Sequence, residues 1–65
     1  MEFVYLLVKG PEWEDVVIYL QKEEAIEISK KNPKYRVEIF IKDDTHGYVP
    51  TYNFYENGVF ISTQL

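Results

Sequence analysis

The residues able to do chemistry are few, and they fall in short stretches of a 65-residue chain. Asp43-Asp44-Thr45-His46-Gly47 sets the single histidine among oxygen donors. An imidazole beside carboxylates can ligate a metal ion, but this spacing matches neither an EF-hand loop nor a zinc signature. The same residue types build tight turns, because Asp side chains accept hydrogen bonds from backbone a few residues on. A solvated turn with no metal is therefore the expectation. Glu14-Asp15 and Asp43-Asp44 are adjacent carboxylates in loop sequence. Acid–base catalysis needs two carboxyls whose surroundings drive their pKa values apart, and nothing in either pattern supplies that. There is no cysteine, and the two serines, Ser29 and Ser62, fall in an expected helix and an expected strand. No nucleophile–base set can be assembled from these parts. Three isolated glycines do not make a phosphate-binding loop. No catalytic residue and no cofactor is expected, and the chain reads as a non-enzyme.

What remains is charge and aromatic surface. Lys30, Lys31, Lys34 and Arg36 form a basic cluster in a chain of formal net charge −4. At the end of a helix such a cluster complements the helix dipole. The cluster could also seat one anionic group, such as a phosphate or a partner's acidic patch. Tyr, Phe and Trp together make up 17% of the chain, which favours a folded domain over a disordered one. Trp13, Tyr48, Tyr52 and Tyr55 are the candidate contact residues, since Trp and Tyr offer rigid area with a polar tip. Trp13 lies in the acidic stretch Pro11–Asp15, where it either folds back over a sheet edge or stands out as a contact anchor.

The elements that must position these residues follow from periodicity. Glu2–Lys9 alternates with both faces apolar, which places a strand near the middle of a sheet. Gly10-Pro11 ends it. Val16–Leu20 is a β-branched second strand, with Val16, Ile18 and Leu20 on one side. From Lys22 to Asn32 a helix is expected, with Ala25, Ile26, Ile28 and Ser29 on one arc and Glu23, Glu24, Glu27, Lys30 and Lys31 filling the rest. Pro33 disfavours helix at Asn32 and marks the stop. Tyr35–Lys42 alternates most cleanly, with Tyr35, Val37, Ile39 and Ile41 on one face. The stretch from Tyr48 to Ile61 turns at Asn57-Gly58, whose residues tolerate the positive φ that a two-residue hairpin requires. That turn pairs Glu56 with Val59, Tyr55 with Phe60 and Phe54 with Ile61. The expectation is a single α+β domain spanning residues 1–65, in the order β-β-α-β-β-β. It has a small antiparallel sheet of four to five strands with one helix packed on one face. One helix can cover one face only, so a bare apolar face would call for a second copy, giving a homodimer or higher oligomer.

The acidic balance, with a pI near 4.8, repels nucleic acid and anionic membranes, and neither is an expected partner. No run approaches the roughly 18 apolar residues of a membrane span. The start lacks a basic region and a small-residue cleavage site. An intracellular location is expected.

Four segments carry a resemblance. Trp13–Leu20, the helix start Glu24-Ala25-Ile26, Arg36–Phe40 and Gly47–Asn53 together resemble short proteins of large (giant) DNA viruses that have no assigned activity. The resemblance implies a viral accessory or virion-associated protein acting in the cytoplasm of a host cell, and it supplies no site residues. The leading expectation is thus a non-enzymatic protein-interaction module acting as a homo-oligomer on an unidentified protein partner. The alternative is an oligomeric small-ligand binder that sequesters a nucleotide signal in a pocket between copies, with aromatics stacking a base and Lys34 or Arg36 holding phosphate.

Overall fold

Local turn chemistry and strand alternation build one helix and a five-stranded antiparallel sheet, an α+β arrangement. The computed structural model describes residues 2–63. The elements run β1 (Phe3–Val8), a 3-10 turn (Trp13–Asp15), β2 (Val16–Tyr19), α1 (Lys22–Lys31), β3 (Val37–Asp43), β4 (Gly47–Glu56) and β5 (Val59–Ile61). The sheet order is β2-β1-β3-β4-β5, which puts β1 inside, as its two apolar faces require. The 3-10 turn is an element that the sequence pattern did not separate from its loop. Asp15 shapes it by accepting a hydrogen bond from the backbone of Glu12 at 3.2 Å.

Register follows side-chain parity. Tyr5 lies opposite Tyr19 and Ile39, Leu7 opposite Val17 and Val37, and Tyr55 between Val37 and Phe60. These residues share one face. Tyr5, Leu7, Val37, Ile39 and Tyr55 are buried there in one cluster with Ala25 of α1, and Ile26 and Ile28 pack against its margin. The second face carries Val4, Leu6, Ile18, Phe40, Pro50 and Phe54, again from the pairing.

The closing hairpin has the expected register, Glu56–Val59, Tyr55–Phe60 and Phe54–Ile61. Asn57 and Gly58 both take positive φ, 51° and 80°. The helix reaches over to this turn: Ser29, fully buried, accepts the Gly58 N–H at 2.8 Å and donates to the Ile26 carbonyl at 2.7 Å. A buried donor left without that partner costs about 1–3 kcal/mol, so the serine hydroxyl fastens α1 to the β4–β5 turn.

β4 is not regular. Glu38 faces Phe54 while Phe40 faces Pro50, so three residues of β4, Thr51 to Asn53, stand opposite Ile39 alone. The bulge is held by Thr51, whose hydroxyl donates to the Ile39 carbonyl at 2.7 Å and accepts from Asn53 N–H at 3.1 Å. Tyr52 takes φ 68° there, a left-handed backbone that costs a non-glycine residue on the order of 1–2 kcal/mol.

Candidate functional site

Strand parity and the bulge decide where each candidate residue goes. Trp13 sits in the 3-10 turn and is 89% exposed, standing clear of the sheet. Tyr52 is exposed because the bulge turns its backbone outward. Tyr48 is partly exposed at one end of the second face, where its hydroxyl donates to Glu2 at 3.3 Å and Lys42 pairs with the same carboxylate at 3.5 Å. Tyr55 is a core residue of the protomer, 6% exposed, with its ring 6.2 Å from Tyr5 and edge-on to Phe60 at 5.9 Å. It turns inward because it pairs with Val37 on the buried face.

Lys34 is exposed in the connection between α1 and β3. Arg36 lies over the Phe54 ring, 4.2 Å from its centroid, and reaches Glu38 at 3.7 Å. Phe54 is buried outside the main cluster, on the second face, and the guanidinium roofs it. A cation–π contact at an exposed site is worth about 0.5–1 kcal/mol, and the half-exposed ion pair adds little. Arg36 is thereby engaged on the second face, with its side chain still 57% exposed.

The Asp43–His46 stretch forms a turn. The Asp43 carboxylate contacts the His46 ring nitrogen Nδ1 at 2.8 Å and accepts the His46 and Thr45 backbone N–H groups at 2.9 and 3.2 Å. The ring contact first, and the His46 backbone bond next, hold the Asp43 carboxyl below the usual carboxylate range. Among the described residues no group of three or more His, Cys, Asp and Glu side chains is placed to hold a metal ion.

Two surfaces remain, one on each side of the sheet. On the second face Val4, Leu6 and Phe40 are half-buried, while Ile18 and Leu20 are 60% and 68% exposed. An apolar tract of this kind is uncommon on an isolated domain. On the core side, at the start of α1, a pocket of about 310 Å³ opens between Phe3, Tyr5, Tyr55 and Phe60, over Ile39, with Lys22 at the helix start. The bulge forms part of its wall through Thr51 and Asn53. Asn53 Oδ1 is buried without a hydrogen-bond partner among the described residues. Burial first, then Tyr55 and Glu23, push the Tyr5 hydroxyl pKa up; burial and then Glu23 do the same for Tyr55. Both phenols therefore stay protonated at neutral pH and can donate.

Sequence reasoning missed Lys22, Asn53, Phe3 and Phe60 as pocket residues. The available signal was Pro50, since proline inside a strand marks an edge or a bulge. No helix among the described residues is long and apolar enough to cross a membrane. No protein-family model, curated protein or solved structure matches the chain.

Proposed function

We propose that the protein is a non-enzymatic interaction module that acts as a homo-oligomer. In this reading α1 covers one face of the sheet, and the other face is kept for contacts with protein. The observation that carries it is the apolar second face, Val4, Leu6, Ile18 and Phe40, for which the described residues provide no second helix. Exposed Trp13 and Tyr52 extend the contact area beyond the sheet, as rigid side chains that lose little entropy on binding. The resemblance to short proteins of giant DNA viruses makes this a viral accessory or virion-associated protein of an infected cell, with the host cytoplasm as its location.

Sedimentation equilibrium at tens of micromolar tests the assembly. The expected mass is at least twice the 7.8 kDa of one chain. A stable monomer at that concentration overturns the reading.

A second reading, a small-ligand binder, is favoured by the pocket and its orphaned Asn53 carbonyl. At about 310 Å³ it stands at the lower end of ligand sites, with room for one ring system and a substituent. Its cation is Lys22 rather than Lys34 or Arg36, and it lies within one protomer. Thermal-shift screening against mononucleotides and cyclic dinucleotides decides this. A ligand at 100 times its Kd adds about 2.7 kcal/mol, several degrees for a domain of this size. The shift should vanish in Phe60→Ala, and a flat response across the panel removes the reading.

A further inference from the structure

The two edges of the sheet are unlike each other. On the β5 side the edge strand has only three residues, and β4 beside it carries Pro50 and the Tyr52 bulge. Thr63 also caps the Tyr52 carbonyl at 2.6 Å. Short edges, proline and bulges are the devices by which sheets block further pairing. The β2 edge, four residues long, has neither proline nor bulge. Val16-Val17-Ile18-Tyr19-Leu20 is a run of five apolar residues without charge, proline or glycine, and Val17, Ile18 and Leu20 are all exposed.

Backbone parity shows what this edge offers. Lys9 N–H donates to the Asp15 carbonyl at 2.8 Å, and Lys42 N–H donates to the Glu2 carbonyl at 2.9 Å. Hydrogen-bonding groups in an antiparallel ladder alternate residue by residue. The even residues of β1 therefore face β3 and the odd ones face β2. Across from them, Asp15, Val17 and Tyr19 turn their backbone groups toward β1. Val16, Ile18 and Leu20 turn theirs away from the sheet, with no strand beyond them among the described residues.

We infer that β2 pairs antiparallel with β2 of a second copy about a two-fold axis at Ile18, joining the two sheets into one of ten strands. This rests on the homo-oligomer reading and names its seam. With the axis at Ile18, Val16 meets Leu20 of the second copy in a hydrogen-bonded pair, and Ile18 meets its own counterpart. All three outward residues of each copy are then used. Centring on Val17 instead would use only Val16 and Ile18. The contact is isologous and consumes the one edge that, among the described residues, carries neither proline nor bulge, so it closes at two copies. The second faces of both protomers then run on as one continuous surface, which doubles the area open to a protein partner.

The chain has no cysteine, so introduced thiols report the seam without background. Directly opposed hydrogen-bonded residues have Cα atoms about 5.5 Å apart, inside the range a disulfide spans. Under mild oxidant, Ile18→Cys should therefore form a covalent dimer, while Val17→Cys alone should not. Ile18→Pro removes an outward N–H and leaves the β1–β2 ladder intact, because edge strands tolerate proline at such a position. Its sedimentation mass should be half that of the wild type, with an unchanged far-UV circular dichroism spectrum. If Ile18→Pro unfolds, the two cysteine variants decide. A wild-type oligomer in which Ile18→Cys fails to cross-link overturns the seam and leaves the homo-oligomer reading standing. Cross-linking by Val17→Cys overturns the Ile18 register, and a monomeric wild type overturns both readings.

Discussion

Gly58→Val is expected to lower the urea midpoint by far more than an ordinary surface substitution, with a loss of about 2–4 kcal/mol. Two costs combine. Gly58 has φ 80°, where a β-branched side chain is an outlier, and strained backbone of this kind costs about 1–3 kcal/mol. A Cβ at this position would also lie 2.8 Å from both Cγ and Cε of Lys30. Lys30 can rotate away at its outer end, but Cγ sits close to the helix, so α1 and the turn must separate slightly. That movement stretches the 2.8 Å bond from Gly58 N–H to the buried Ser29 hydroxyl. Gly47 is the internal control. It has nearly the same φ, 82°, with nothing within 4 Å of an added Cβ. Gly47→Val should therefore show the backbone cost alone, and the difference between the two variants isolates the helix–turn contact. Equal midpoints would mean that α1 does not press on this turn.

Features set by one short stretch of sequence were legible, and features set by the fit between two stretches were not. Asn57-Gly58 specifies its turn by backbone preference alone, and the turn then dictates the Tyr55–Phe60 and Phe54–Ile61 pairs. The helix arc of Ala25 and Ser29 and the inner position of β1 are likewise local, written in periods of 3.6 and 2. The bulge is a different matter. Thr51 to Asn53 stand opposite Ile39 because β3 and β4 differ in length along their pairing, which neither strand reveals by itself.

The candidate site inherits that limit. Whether Tyr55 points to the core or to a partner depends on which side of the sheet α1 covers; the bulge shifts the β3–β4 register by two residues, which leaves the face of Tyr55 unchanged. Residue type could not decide, since tyrosine serves cores and interfaces equally well. Arg36 has the same lesson. Its charge suggested an anion seat, yet two residues further along the strand Glu38 offers a carboxylate, and Phe54, paired with Glu38, offers a ring face. Of the six candidate contact residues, Trp13, Tyr48, Tyr52, Lys34 and Arg36 reach solvent, Arg36 while lying over the Phe54 ring, and Tyr55 does not.

Leu7→Ala should be the most damaging single truncation outside the turn, with a loss of about 2–5 kcal/mol. Leu7 is 2% exposed and stands between Val17 and Val37, in the cluster that Ala25 of α1 completes. Removing its branched end leaves a void bounded by strands on two sides and helix above. Neither the ladders nor the buried Ala25 has side-chain length to fill it. A 65-residue chain has a total stability of roughly 3–10 kcal/mol, so the variant should be marginally folded, with a melting temperature lower by at least about 10 °C. Val8→Ala is the matched comparison, because Val8 lies next in the same strand but points to the second face and is 41% exposed. It should cost well under half as much in a monomer, since the transfer term shrinks with exposure and no cavity forms. Melts of both variants at low protein concentration make the comparison free of assembly. If the two lose the same stability, the inner and outer faces of β1 are equally covered. The placement of α1 on the Leu7 side would then be wrong, and with it the open face on which the interaction reading depends.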